Sequence, residues 1–160
     1  MPRGARILIN NAYYHIINRG NQKQNIFFDA SDYDAYLKII KHYKKIFYFK
    51  VFGYCLMPNH IHLIIQPKKS QELASIMQRL TQVYTLWFNE KYKKVGHLWQ
   101  GRFKNMVINK DEYFIDCISY VEANPVKAGL VATPREYPWS SYRSRLFGNK
   151  NSILDIPDST

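Results

Sequence analysis

Two histidines one residue apart, in the run His60-Ile61-His62-Leu63-Ile64, are the side chains best suited to chemistry. In an extended strand alternate residues share a face, so His60, His62 and Ile64 point one way and Ile61, Leu63 and Ile65 the other. The apolar three must face a core, which leaves two imidazoles side by side on a rigid backbone. Neutral ring nitrogens so arranged make half of a divalent-metal site with further positions open. Alone, a His-x-His pattern equally fits two surface histidines on a half-buried strand. Structural zinc would need further ligands at suitable spacing, and His15, His42, His97, Cys55 and Cys117 form no finger. A metal-free two-histidine phosphoesterase would need a second His-x-Thr or His-x-Ser element, which is absent.

A nucleophile for such a site would come from the tyrosines. A helix starting near Asn109, with Glu112 at capping-box spacing, is expected to stop at Asn124-Pro125. At helical spacing Phe114, Ile115, Ile118 and Val121 build its core stripe, while Tyr113, Asp116, Tyr120 and Asn124 share another face. Tyr113 falls in the first turn, where free N–H groups and the positive helix end favour a phosphate and a phenolate alike. That favours Tyr113, although periodicity equally admits Tyr120. Any one tyrosine among 13 is most simply a packing residue.

The elements that must position these groups follow from local pattern. Tyr13 to Asn18 reads as a strand closed by turn chemistry at Arg19-Gly20-Asn21. Ser31 can cap an amphipathic helix carrying Tyr33, Tyr36, Leu37, Ile40 and Phe47. Tyr48 to Met57, the turn Pro58-Asn59 and His60 to Gln66 form a hairpin. Ser70 can cap a second helix whose buried stripe is Leu73, Ile76, Leu80, Val83 or Tyr84, and Trp87. Phe103 to Ile108 is a fourth strand. The order βαββαβ predicts an α+β, ferredoxin-like antiparallel sheet, with the tyrosine helix added after it. One domain over residues 1–147 and a loose polar tail over 148–160 are expected.

The 160 residues carry a formal charge of +11, which concentrates polyanions and makes nucleic acid the first candidate partner. Aromatics at 16% of the chain, interleaved with Lys and Arg, suit unstacked bases and so single strands. Arg19, Lys23, Arg102, Lys104 and Lys127 lie near expected turns or strand ends and could line a groove for a DNA backbone. The two cysteines are too few for a disulfide scaffold and lack CxxC spacing. Ile7-Leu8-Ile9 is too short for a signal-peptide core or a membrane span, so a cytoplasmic protein is expected.

Met57-Pro58-Asn59-His60-Ile61-His62-Leu63-Ile64 resembles the signature of single-tyrosine transposases of the His-hydrophobic-His class, particularly those associated with repetitive extragenic palindromes. The resemblance extends through Asn18-Arg19-Gly20-Asn21, Trp99-Gln100-Gly101-Arg102-Phe103, the stretch from Tyr120 to Val131 with its Asn124-Pro125, and Trp139-Ser140-Ser141-Tyr142. It implies a metal-dependent single-stranded DNA endonuclease and strand transferase acting at hairpin or palindromic DNA. His60 and His62 would bind Mg²⁺ or Mn²⁺, and the tyrosine before the Asn-Pro block, by position Tyr113, would form a 5′-phosphotyrosine. Relatives often place a third ligand, sometimes Gln, one turn after the tyrosine. Here that place is Cys117, so the oxygen of neighbouring Asp116 is preferred for a hard cation, with Glu122 a more distant candidate. The resemblance leaves open a homodimer that exchanges the tyrosine helix. The competing expectation is a non-catalytic module that binds DNA or RNA hairpins.

Overall fold

The computed structural model describes residues 11–108, 113–148 and 153–157. Its first part runs β1 (Tyr13–Arg19), α1 (Ala30–Phe47), β2 (Lys50–Met57), β3 (His60–Gln66), α2 (Leu73–Tyr92) and β4 (Lys104–Ile108). The sheet order is β2-β3-β1-β4, and every neighbouring pair is antiparallel. This is the expected βαββαβ arrangement. Each helical crossover skips one strand's width, and the intervening place is filled by β3 in one case and by β1 in the other. Pro58-Asn59 closes the hairpin, with Met57 paired to His60.

The two faces of the sheet bury different partners. Tyr14, Ile16, Ile61, Leu63 and Ile65 belong to the main core with Tyr36 and Ile40 of α1 and Ile76, Leu80 and Tyr84 of α2. The opposite face carries a smaller core in which Phe52, Cys55 and Ile64 meet Phe114, Ile118 and Val121 of α3 (Phe114–Glu122). A bulge between Val51 and Gly53 turns both Phe52 and Gly53 toward α3. A Cβ on Gly53 would lie 3.3 Å from Ile64 and 3.7 Å from Ile118, so the glycine lets the helix sit close. Short helices α4 (Asn124–Lys127) and α5 (Tyr142–Phe147) follow.

Several local expectations need correction. Asp29, not Ser31, caps α1, accepting from the Asp32 N–H while the Asp32 carboxylate accepts from the Asp29 N–H. Ser70 opens a one-turn helix ahead of α2 rather than capping it. The buried stripe of α2 runs through Met77, Tyr84 and Phe88, and Trp87 is only half-buried. Ile115 points outward, 65% exposed, because α3 rests on the sheet along Phe114, Ile118 and Val121. The expected cap at Asn109 and Glu112 lies outside the described residues. Within the expected tail, Ile153 is buried, and Asp155 accepts from the Val51 N–H and from Lys44 Nζ at 2.6 Å. Composition registered that stretch as polar and missed its anchors. Among the described residues no helix is long and apolar enough to cross a membrane.

Candidate functional site

The register of β1 against β3 builds the site. Arg19 lies opposite His60, Ile17 opposite His62 and His15 opposite Ile64, so His15 is diagonal to His62 on one face. His15 Nε2 and His62 Nδ1 are 3.0 Å apart. His60 Nδ1 donates to Asn59 Oδ1 at 2.7 Å. When His62 Nδ1–H donates and His15 Nε2 accepts, His60 and His62 each keep an unprotonated Nε2 as a ligand atom. Such hydrogen bonds to the far ring nitrogen fix tautomer and orientation in metal-binding histidines.

The electrostatics keep these rings neutral. Burial lowers His60 to about 4, helped by the positive charge of Arg19. His62 is lowered to about 3, chiefly by burial, then by His60, His15 and Arg19. Burial also lowers His15. At neutral pH the pair therefore offers lone pairs and no charge.

The structure brings Tyr120, not Tyr113, to this cluster. The Tyr120 ring stands edge-on to His15 and His62, with centroids 6.2 and 6.3 Å away, and is 48% exposed. Lys127 Nζ lies 4.4 Å above the same ring. Asn124, one turn on, donates Nδ2–H to the Tyr120 and Val121 carbonyls, which leaves its Oδ1 available. Tyr113 stands at the start of α3, about 10 Å along the axis from Tyr120, and is 56% exposed. Its neighbour Phe114 stacks on Tyr13, at the far end of β1 from Arg19 and His60.

The other expected site residues divide. Asp116 is exposed, and among the described residues no three His, Cys, Asp or Glu side chains gather as a metal set, so Asp116 does not join His60 and His62. The reason is helical: Asp116 sits a full turn from Tyr120, toward the Tyr13 end. Cys117 is half-buried against the smaller core, which pushes its thiol up to about 11. Lys104 pairs with Ile17, which pairs with His62, so Lys104, His62 and Arg19 share a sheet face. Lys127 covers Tyr120, Arg102 borders a groove on the α2 side, and Lys23 lies in the turn after β1.

Sequence reasoning gave no site role to His15 or Asn124 and read Glu122 only as a distant ligand candidate. Strand order and parity could have found His15, and four-residue spacing from Tyr120 could have found Asn124. Glu122 is not near the histidine pair as a ligand. It is buried and bonds to the Ser141 hydroxyl and to Arg145, whose Nη2 is 3.2 Å away. The Trp139-Ser140-Ser141-Tyr142 block lies along the free edge of β2. The Leu56 N–H donates to the Trp139 carbonyl at 2.8 Å, the Ser141 N–H to the Tyr54 carbonyl at 2.9 Å, and Arg145 to the Phe52 carbonyl. Trp139 also stacks on Tyr33 of α1 at 4.7 Å. The block thus staples α3 to the sheet.

Comparison with known proteins agrees with this architecture. Residues 8–124 match the family described as "Transposase IS200 like". A protein of Haemophilus influenzae described as a REP-associated tyrosine transposase is 31% identical over 119 residues, covering 68% of this chain and 65% of the relative. The chain therefore matches just under two thirds of that relative's length. The solved structure of a REP-associated tyrosine transposase bound to a REP hairpin superposes with a TM-score of 0.76 at 21% identity, covering 100% of this chain and 94% of the other. A transposase from Deinococcus radiodurans superposes at 0.51 with 16% identity, covering 78% and 95% respectively. These structural likenesses concern the fold.

Proposed function

The chain belongs to the family of IS200-like transposases, and from that premise we propose that it is a metal-dependent single-stranded DNA nicking and joining enzyme that acts at hairpin DNA with Tyr120 as its nucleophile. The observation that carries this reading is the convergence of two neutral, oriented histidines and one half-exposed phenol on the same sheet face. The hairpin as substrate is suggested by the hairpin-bound relative of the same fold.

His60 and His62 would hold Mg²⁺ or Mn²⁺ through Nε2. Moving the nucleophile from Tyr113 to Tyr120 also moves the place one turn after it, from Cys117 to Asn124. A carboxamide oxygen suits a hard cation where a thiol does not, and that replaces the preference for Asp116. When bound, the cation supplies Lewis-acid polarisation of the scissile phosphate.

The chain's own residues do the rest. Tyr120 Oη attacks the phosphorus, and its proton passes to solvent. The bond to the 3′ oxygen breaks, leaving a 5′-phosphotyrosine and a free 3′-hydroxyl. Attack by a 3′-hydroxyl on the phosphotyrosine reverses the step and joins strands without an external energy source. Arg19, Lys104 and Lys127 ring the site and would hold phosphates of the strand in place. His15 is a positioning residue, holding the His62 ring by its Nδ1.

The test is a denaturation-resistant adduct formed with labelled hairpin DNA carrying single-stranded flanks, in Mg²⁺. The adduct is expected in the wild type and in Tyr113→Phe, and lost in Tyr120→Phe and His60→Ala. Loss in Tyr113→Phe with retention in Tyr120→Phe would return the nucleophile to the start of α3. Mn²⁺ titration by calorimetry should show one site, weakened in Asn124→Ala and unaffected in Asp116→Ala. Hairpin binding indifferent to metal and without cleavage would favour a non-catalytic hairpin-binding module.

A further inference from the structure

Positive charge is not spread evenly along this chain. From Ala35 to Gln71 there are seven lysines, no arginine and no acidic residue. The fold gathers five of those lysines at one end of the molecule. Lys41 and Lys45 belong to the second half of α1, Lys50 opens β2, and Lys68 and Lys69 follow β3, whose Gln66 pairs with Lys50. All five are exposed. Lys44, between them, is taken up by Asp155 at 2.6 Å. A lysine in the last turn of a helix offsets its negative end, which accounts for Lys45. It does not account for Lys41, whose like charge stands four residues before Lys45, nor for the three lysines outside the helix.

An aromatic ring stands among these charges. Tyr48 ends α1 with a φ of 60°, its N–H donating to the Lys44 carbonyl at 2.8 Å. That left-handed conformation usually goes to glycine, because a bulky side chain is strained there. Among the described non-glycine residues with positive φ, Tyr48 is the only aromatic one. Burial of the ring does not compensate, since Tyr48 is 70% exposed. Lys68 Nζ lies over the ring, 5.4 Å from its centroid.

The chemistry selects the ligand. Lysine meets phosphate as a point charge, and without arginine there is no planar fork to read a base edge. An exposed phenol flanked by such charges offers a stacking surface to any unpaired base. A helix lying on an acidic membrane instead pairs its basic face with a broad apolar one, and here the lysines surround a single flat ring. The place is distinct from the histidine site. Met57 at the far end of β2 pairs with His60, so Lys50 lies roughly 23 Å away along the strand. No single nucleotide can touch both.

We propose that this end of the molecule is a second nucleic-acid surface, which holds a single DNA strand without regard to sequence, its phosphates on Lys41, Lys45, Lys50, Lys68 and Lys69 and one base stacked on Tyr48. A joining enzyme handles two strand segments, and this surface keeps the second within reach of the first. The surface goes beyond the nicking reading above and does not depend on that chemistry.

The experiment follows a short fluorescent oligothymidine by anisotropy, in excess unlabelled hairpin DNA that occupies the histidine face. Binding should persist in the wild type and weaken about tenfold in Tyr48→Gly, in the range expected for one stacked base. Glycine relieves the left-handed backbone, so this loss is no folding defect, and thermal unfolding checks that. Lys45→Gln and Lys68→Gln should each reduce the dependence of log affinity on log salt by roughly 0.7. Complete displacement by the hairpin, wild-type affinity in Tyr48→Gly, or an unchanged salt slope in both lysine variants overturns the proposal. So does binding to phosphatidylserine vesicles in place of oligothymidine, which would give this face to a membrane. Oligothymidine binding by a protein that forms no adduct leaves the surface standing and removes the nicking reading. Adduct formation without a second site does the reverse.

Discussion

Two buried tyrosines of the main core separate what a hydroxyl contributes from what its ring contributes. Tyr84 Oη donates to the Ile26 carbonyl at 2.5 Å, whereas the Tyr36 hydroxyl, equally buried, has no partner among the described residues. Replacing Tyr84 by Phe strands a buried carbonyl and should cost about 1–2 kcal/mol. Replacing Tyr36 by Phe removes an unsatisfied group and keeps the ring, so urea unfolding should give a change between zero and about 1 kcal/mol of added stability. If both variants lose stability equally, the hydrogen-bond assignment is wrong. The cysteines obey the same logic of burial. Burial, followed by the charge of Glu122, pushes the Cys55 thiol far up, and burial raises Cys117 to about 11. Thiolate is the reacting species, so neither should be alkylated appreciably by iodoacetamide at pH 8 until the protein is unfolded. Mass spectrometry of the native protein checks this.

The element that governs the site is α3, and a short list of polar groups fixes it against the sheet. Glu122 is buried, Ser141 Oγ donates to it while also accepting the Tyr54 N–H at 2.9 Å, and Arg145 pairs with it. Removing one partner of a buried ion pair leaves the other charge stranded, a loss of about 3–5 kcal/mol when both are fully buried. The Arg145 side chain is 31% exposed, so solvent screening reduces the expectation for Arg145→Ala to about 1–3 kcal/mol. Hydrogen exchange should speed up first in α3 and the edge of β2. Uniform acceleration across α1 and α2 would contradict a local clamp. The start of α1 is sensitive to acid for a different reason. The Ser31 hydroxyl, and then Lys91, hold the Asp29 carboxyl down from 3.8 to about 2. A depressed folded-state value adds stability above the ordinary value and loses it as pH falls through the lower one. Asp29→Asn, which still caps, should therefore flatten the pH dependence of the urea midpoint between those two values. The strands and the first two helices were legible in the sequence because their periods of two and 3.6 residues are local. The choice between the two tyrosines was not, for a definite reason. Tyr113 and Tyr120 are seven residues apart, and a helix drifts only about 20° per heptad, so both point almost the same way. What separates them is how far along the sheet α3 lies, and that is set by Phe114 on Tyr13 and by the Glu122 clamp. Trp139 to Tyr142 has no period to read, and its role appears only once the β2 edge is in place.

Across the whole molecule the net charge of +11 is a field before it is a set of contacts, and the two make different predictions. Arg19, Lys104 and Lys127 belong to the histidine face or to the helix packed beside it, and Arg102 borders the groove on the α2 side. Lys91 is committed elsewhere, 2.9 Å from Asp29 and 2.8 Å from Asp32 at the start of α1. If hairpin DNA follows a path from Tyr120 past Arg19 to Arg102, each basic residue on it neutralises a phosphate and releases counterions. The logarithm of the binding constant then falls with the logarithm of salt concentration by roughly 0.9 per duplex contact and roughly 0.7 per single-strand contact. Lys104→Ala and Lys127→Ala should each reduce that slope by about 1 and weaken all sequences alike. Lys91→Ala, which removes the same formal charge from a residue off the path, should leave the slope unchanged. Salt titrations of the three variants with one hairpin decide the matter. Equal slope losses in all three would mean that the DNA feels only the summed charge, and the proposed path over the sheet would then have no support from its basic residues.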